Sequence, residues 1–312
     1  MHPASQSDDR RGTKDNCGSD READWVRGAL KSTTVDTSTN AADFDAGLDD
    51  VFTRIAGRYD RLCDVFSLLA HRYWKTVMAR HIARDPGSSL LDVASGTGDI
   101  AIRVARRTET KAKVIIAGDI CPAMLAIAKR KANAQSLKIH FFRLNAHELE
   151  VPDSSVDAYA ISFGMKICHR PLVLKEAWRV LKPGGRIYCL EASRIPVALV
   201  HSAYLRYMDW CLPLIARMAT GGDRGAYDYL LRGVHDFPGA PLFAREIQSF
   251  GFQHATYRYM TFGIVALHVA AKPMTVRHER RFSWRAACAV CLQPQSTPQP
   301  DGRAGVLEMA GD

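Results

Sequence analysis

The chain has no run of uncharged apolar residues near the roughly 18 needed to cross a bilayer as a helix. Its longest such run, Phe262 to Ala271, has ten, which excludes a transmembrane helix. The N-terminal segment also lacks an apolar core and mixes charge with Ser and Thr, so it does not read as a secretory signal and a cytoplasmic chain is expected. Zinc-finger, helix-turn-helix and RNA-binding signatures are missing, and no nucleic-acid partner is expected. The excess of 42 Lys and Arg over 33 Asp and Glu, net +9, is a better match to an anionic membrane surface, with peripheral contact on its inner face. Cysteine is sparse: eight residues scattered over apparent helices and strands fit reduced thiols rather than a disulfide framework. Cys288 and Cys291 form a CxxC alone in a Pro/Gln-rich tail, read as coincidence, so no metal is expected. Internal repeats are absent. Hydrophobic residues at 47%, charged residues at 24%, 22 Gly and 14 Pro exclude collagen-like, coiled-coil and wholly disordered chains.

What is present is enough chain, 312 residues, for one large domain with tails. Residues 1–46 show no hydrophobic period and cannot offset the entropy of ordering, so a disordered tail is expected there. Val51, Phe52, Ile55, Ala56 and Tyr59 then share one helical face behind Asp49 and Asp50 as candidate caps, and a second helix is expected through Val65 to Ile82. From there short β-rich runs alternate with helical segments. Strands are expected at Ser89–Val93, Val114–Gly118, Ile139–Leu144, Val156–Ser162 and Arg186–Glu191. A helix runs from Pro122 to Ala134, and another opens at Pro171 and is closed by Lys182-Pro183-Gly184-Gly185. A helical insertion lies between Pro196 and Gly239, followed by a helix from Pro241 to Phe250. Strands His254–Met260 and Ile264–Ala271 should pair as an antiparallel hairpin at a sheet edge. The fold class is α/β: a mostly parallel sheet with an antiparallel C-terminal edge strand, helices on both faces and an N-terminal helical cap over a domain at 47–272. Residues 273–312 form a basic, then Pro/Gln-rich tail.

The informative stretch is Leu90-Leu91-Asp92-Val93-Ala94-Ser95-Gly96-Thr97-Gly98-Asp99, an apolar strand entering a glycine turn that opens a helix. Such a turn brings backbone amides close to a ligand at a helix N-terminus. Gly96-x-Gly98-x-x-Ala101, with Asp119 further on, also satisfies the dinucleotide fingerprint. Asp92 separates the readings, because a carboxylate at the strand end repels a pyrophosphate and attracts an ammonium group. An adenosine carrying a methionine tail meets that demand, its ribose held by Asp119 and its amino acid lying over the Gly96 loop. That molecule is S-adenosylmethionine. The plainer reading makes Asp92 and Asp119 cap or turn residues. Asn145, Ala146 and Ser162 follow later strands at the same carboxyl edge, where ligands of such sheets bind. Candidate cofactor residues are thus Asp92, Ala94, Gly96, Thr97, Gly98, Asp119, Asn145, Ala146 and Ser162.

From Val51 to Lys272 the chain resembles the UbiE-type C-methyltransferases of ubiquinone and menaquinone biosynthesis, a class I S-adenosylmethionine-dependent group with a Rossmann-like sheet. The resemblance rests on Val51-Phe52 with Ile55-Ala56-Gly57-Arg58-Tyr59-Asp60, on His71-Arg72-x-Trp74-Lys75, on the glycine loop, and on Ile161-Ser162-Phe163-Gly164. It continues through Arg179-Val180-Leu181-Lys182-Pro183-Gly184-Gly185-Arg186, Leu190-Glu191 and Val265-Ala266-Leu267-His268. It implies cofactor contacts for Thr97, Asp119, Asn145, Ala146 and Ser162. The substrate side departs from the pattern. Lys166-Ile167 stand where the family usually has Arg-Asn, Cys63 where it has Asn, and Ala192 where it has Phe. Lysine keeps the charge without arginine's planar fork, and Cys63 and Ile167 remove amide groups.

The resemblance further implies methyl transfer to a ring carbon of a lipophilic, prenylated hydroquinone, which needs a base or cation near a ring oxygen and in-line placement. His268, Lys166, Tyr59 and Asp60 are candidates, each with a plain structural alternative, and none is assigned as the base. Tyr204, Tyr207, Met208, Trp210 and Leu214 suit an apolar rim, although such a stripe at helical spacing is core more often than rim. Lys272, Arg277, Arg280, Arg281 and Arg285 with Phe282 and Trp284 suit either lipid docking or a solvated tail. Three functions stay open: a quinone-pathway C-methyltransferase, a paralogue acting on another small aromatic or isoprenoid acceptor, and a cofactor-binding protein without transferase activity. No oligomeric state is implied.

Overall fold

The computed structural model describes residues 52–85, 87–108, 114–220 and 237–274, with 212–220 as backbone alone. The N-terminal tail, the capping Asp49 and Asp50, the Leu214 side chain, and the tail from Arg277 onward with Cys288 and Cys291 lie outside the described residues.

The strands are β1 (Ser89–Val93), β2 (Val114–Asp119), β3 (His140–Arg143), β4 (Val156–Ser162), β5 (Leu181–Ala192), β6 (Gln253–Met260) and β7 (Val265–Ala271). They form one seven-stranded sheet in the order β3-β2-β1-β4-β5-β7-β6. The first five are mutually parallel, β7 runs antiparallel to β5, and β6 pairs antiparallel with β7 to form the edge. Around the sheet lie α1 (Tyr59–Phe66), α2 (Ala70–Arg84), α3 (Asp99–Thr108), α4 (Pro122–Asn133), α5 (Arg170–Val180), α6 (Ala198–Thr220) and α7 (Ala240–Ser249).

All five residues of β1 are buried, as a central strand covered on both faces requires. Alternation along the strands sends side chains to two separate cores. Leu91, Val93, Tyr159 and Ile161 pack with Leu174 of α5 and Phe243 of α7. Leu90, Ala158 and Ala160 pack with Met78 of α2 and Val104 of α3. Asp92 therefore points into the α2/α3 layer, with the small residues Ala117 and Ala160 as its neighbours across the sheet.

Two expectations are corrected. The helix foreseen from Val65 to Ile82 is broken, because Leu68 and Leu69 adopt left-handed conformations at φ 47° and 66°. Ser67 makes the break workable: its hydroxyl donates to the Cys63 carbonyl at 2.7 Å and accepts the His71 amide at 3.2 Å, closing α1 and opening α2. The Lys182-Pro183-Gly184-Gly185 segment does not close α5, which already ends at Val180. It bulges out of β5 opposite Asp157, between the pairings Val156↔Leu181 and Ala158↔Arg186. Of the expected insertion, α6 is described and residues 221–236 lie outside the described residues.

Replacing Ser67 by Ala removes both helix-end bonds and should cost about 1 kcal/mol of stability, read from the urea midpoint. An unchanged midpoint would show that the hydroxyl does not hold the break.

Candidate functional site

The parallel strands deliver their carboxyl ends to one edge, and the chain turns away in opposite directions after β1 and β4, which opens a crevice between them. A cavity of about 500 Å³ occupies that edge. Its floor comes from strand-end loops (Ala94, Gly96, Asp119, Asn145, Ala146, Ser162). Cap residues Tyr59, Cys63, His71, Trp74 and Lys75 form one wall, and Tyr204, Tyr207 and Met208 of α6 form another. A smaller cleft adjoins it, lined by Tyr59, Lys75, Asp92, Ser95, Gly96, Thr97, Asp99 and Ser162 among others.

The glycines of loop 94–98 have separate tasks. Gly96 sits at φ +55°, and a Cβ there would meet no atom within 4 Å, so the space beside it is open. Gly98 sits at φ +78°, and a Cβ would come within 2.9 Å of the Ala128 side chain, so only glycine lets α3 and α4 approach this closely. The Asp119 carboxylate holds the loop, accepting the Gly96 amide at 2.7 Å and the Cys121 amide at 2.9 Å. Asn145 spends its side-chain oxygen on the His147 amide at 3.0 Å. Beside it, Ile120, Cys121, Met124, Leu144 and Ala146 make an apolar slot in the cavity wall.

Asp92 is buried, and its Oδ2 accepts the Ala101 amide at 3.1 Å. Its Oδ1 has no partner, nor do the hydroxyls of Ser95 and Ser162 that line the same cleft. Buried polar atoms left unpaired are costly, so three in one cleft mark a place for a polar ligand. Burial pushes the Asp92 carboxyl up to about 7, against the opposing help of the Ala101 amide and Lys75.

Thr97 is engaged within the protein. Its hydroxyl donates to Asp60 at 2.6 Å and accepts Lys131 Nζ at 3.1 Å, while Lys131 also bonds Asp60 at 2.9 Å and Asp99 at 3.2 Å. The cap is thereby clasped to the glycine loop. Asp99 also meets Lys75 at 3.1 Å. Burial alone would raise the Asp99 carboxyl, but Lys75, Lys131 and Arg103 outweigh it and hold the group well below the usual carboxylate range.

The four candidates for the reacting oxygen do not meet. Tyr59 and Lys166 line the cavity; Asp60 faces Lys131 instead, and His268 stands apart. His268 lies on the α7 face of the sheet, with Nε2 3.1 Å from the Ala240 carbonyl and its ring against Phe243; burial presses it down to about 4. The Tyr59 phenol is pushed well up by the Cys63 thiol and by burial, so it stays protonated. Lys166 is no solvated loop charge. Its ammonium donates to the Phe163 carbonyl at 2.6 Å and to the fully buried Glu191 at 3.0 Å. Cys63, Lys166 and Ile167, the departures from the family pattern, all line this cavity.

Sequence reasoning gave no role to His71, Trp74 or Lys75, although their spacing on α2 marks one helical face, and all three are buried and line the cavity. His71 bonds Ser67 through Nδ1 at 2.8 Å, and burial and Lys75 press it down to about 4, so it is neutral at pH 7.

A mixed sheet with reversed β7, a glycine loop under an acidic strand end and a cleft of unpaired polar atoms define a class I S-adenosylmethionine-dependent methyltransferase. A methyltransferase of Thermotoga maritima, described as a possible histamine N-methyltransferase, shares the fold with a TM-score of 0.51 at 15% identity, over 72% of this chain and 99% of that one. The ubiE/COQ5 methyltransferase family matches residues 39–272, and the chain belongs to that family. It is 40% identical over 226 residues to the ubiquinone/menaquinone biosynthesis C-methyltransferase UbiE of Brucella abortus, covering 71% of this chain and 83% of that relative. The UbiE of Brucella anthropi matches at the same 40% identity, with 85% of its length covered.

The raised Asp92 carboxyl has a consequence for the ligand-free protein. Its folded value lies above the unfolded one, so its contribution to stability falls as pH rises from about 4 to about 7 and stays low above that. Asp92→Asn removes the penalty and keeps an acceptor for Ala101. The variant should melt a few degrees higher than wild type at pH 8 and no higher at pH 4. A lower melting temperature at pH 8 would contradict the assigned burial cost.

Proposed function

We propose that the protein transfers the methyl group of S-adenosylmethionine to a ring carbon of a prenylated benzoquinol or naphthoquinol. The observation carrying this reading is that one cavity runs without a break from the polar strand-end loops to apolar walls formed by the cap and α6. In this reading the methionine part lies in the cleft of Asp92, Ser95 and Ser162, the ribose hydroxyls bond Asp119, and the adenine enters the slot beside Asn145 and Ala146. The unpaired cleft atoms and the open side of Gly96 fit that group.

When bound, S-adenosylmethionine supplies an electrophilic methyl on a sulfonium. The chain's own residues supply the rest. Apolar walls including Phe52, Ile55, Leu62 and Phe66 exclude water and orient the ring. Lys166, held by Glu191, offers its remaining N–H to a ring oxygen and lowers the cost of ionising it, which raises electron density at the ring carbon. Tyr59, being protonated, serves as a donor rather than a base.

Exposed apolar residues close in sequence to the cavity-lining Leu68, Thr261 and Met208 support a lipid-borne substrate. Leu68, Leu69 and Phe262 hold left-handed backbone conformations, at φ 47°, 66° and 58°, while exposing large apolar side chains. Trp210 and Leu199 of α6 are also exposed. Left-handed geometry costs such residues roughly 1–2 kcal/mol each, and exposing apolar groups there returns nothing in water. A bilayer interface repays both, and Arg58 and Arg61 stand exposed on the cap beside Val65. No helix among the described residues is long and apolar enough to cross a membrane. A second reading, a divergent acceptor of similar apolar character, is favoured by the shared location of Cys63, Lys166 and Ile167.

Incubation with methyl-labelled S-adenosylmethionine and reduced, demethylated benzoquinols and naphthoquinols should place label on a ring carbon of one class. If every quinol stays unlabelled while the cofactor binds, the second reading replaces the first. Phe262→Ser with Trp210→Ser should lower turnover of a long-chain quinol in anionic liposomes by roughly tenfold and leave a short-chain quinol in solution within about twofold. Equal loss on both substrates would remove the membrane-facing mouth.

A further inference from the structure

We propose that Lys75, carried by cap helix α2 and not by the glycine loop, holds the carboxylate of the cofactor's methionine part, while Asp92 across the cleft takes its ammonium. The inference rests on the cofactor placement proposed above and assigns the two ends of the ligand's zwitterion separately.

Three observations carry it. Lys75 is buried and lines both the main cavity and the small cleft, where it is the only cation among the lining residues described. Its ammonium gives one N–H to Asp99 at 3.1 Å, leaving two donors for the space it borders. The cations around Lys75 outnumber the carboxylates they pair with directly. Lys75, Lys131 and Arg103 gather on the carboxylates of Asp99 and Asp60, three cations on two anions. Asp92 is the next acid in the cleft, and burial keeps it largely protonated below neutral pH. The Lys75 side of the cleft therefore offers donors to a further carboxylate. An α-amino acid brings that carboxylate and, on its other arm, the ammonium that lets Asp92 ionise.

The arrangement makes the cap part of the cofactor site. Lys131 and Arg103 face Asp99 as well, so Asp99 keeps cationic partners when Lys75 also contacts a ligand. The ammonium of Lys75 is therefore free to turn toward a ligand without leaving a buried carboxylate unpaired. Binding should draw α2 and loop 94–98 toward each other through the bound carboxylate.

Titration calorimetry with three ligands separates the contacts: S-adenosylhomocysteine, with both charged groups; its decarboxylated counterpart, with the ammonium alone; and 5′-methylthioadenosine, with neither. Lys75→Met should weaken S-adenosylhomocysteine by roughly 10- to 100-fold and leave the other two within about threefold of wild type. Wild type should lose a similar factor when the ligand loses its carboxylate, and the two losses should not add. Asp92→Asn should weaken the first two ligands and spare 5′-methylthioadenosine. Lys75→Arg, which keeps the charge and the Asp99 pair, should retain most of the preference for the carboxylate, and it gives a second variant if the Met form does not fold. Equal weakening of all three ligands in Lys75→Met, or no weakening, overturns the assignment and leaves Lys75 a structural partner of Asp99. If wild type binds S-adenosylhomocysteine no better than 5′-methylthioadenosine, the placement of the methionine part itself is wrong, which is a distinct failure.

Discussion

The site depends on one uncomfortable carboxylate. Asp92 stands at the end of a fully buried strand, with one oxygen bonded to the Ala101 amide and the other unpaired. Removing such a group from water costs energy that an Asn or Ala would avoid, a sizeable cost for a domain stabilised by roughly 5–15 kcal/mol in total. In the proposed reading that cost is returned when the ammonium of the ligand arrives. Strand alternation decides where that happens: Asp92 shares the face of Leu90 and so points toward α2 and α3, where Lys75 and Asp99 also lie.

The cap follows from the same constraint. Helix α1 buries none of its residues fully, whereas α2 packs Val77, Met78, Ala79 and Ile82 into the core, and polar bonds tie the cap down. Asp60 clasps Thr97 and Lys131. The Trp74 indole donates to Thr261 at 2.8 Å, joining α2 to the turn between β6 and β7. Ser67 allows the chain to reverse between the two helices, so that His71, Trp74 and Lys75 face the cavity while Leu68 and Leu69 face outward. One short break thus separates the cavity wall from exposed apolar side chains.

Much of this was legible in the residues. The alternation of apolar strands and helices yields the layered sheet, and the Ser89–Val93 and Val156–Ser162 strands appear with the bounds their patterns set. Asp92, Ala94, Gly96, Asp119, Asn145, Ala146 and Ser162 do converge on one edge, because parallel strands send all their carboxyl ends there. What escaped was non-local or contrary to propensity. No Gly, Asn or Pro marks the break at Leu68 and Leu69, where the Ser67 side-chain bonds end one helix and open the next against a continuous helical pattern. The Lys182-Pro183-Gly184-Gly185 punctuation announces a chain reversal but does not distinguish a helix stop from a bulge. Lys166 was legible as a candidate, but its partner Glu191 comes from β5, far along the chain, so the pairing was not. The spacing of His71 and Lys75 showed a buried helical face, but only the fold shows which chamber that face closes.

The most direct test of the account counts protons. S-adenosylhomocysteine is titrated into the protein at pH 7 in buffers of different ionisation enthalpy, and the buffer dependence of the heat reports protons released on binding. If the bound ammonium draws Asp92 from a carboxyl near 7 to a full carboxylate, about half a proton should leave per ligand, and the release should vanish in Asp92→Asn. No release from wild type, or the same release from the variant, would contradict the claim that this buried carboxylate is the cation seat around which the site is built.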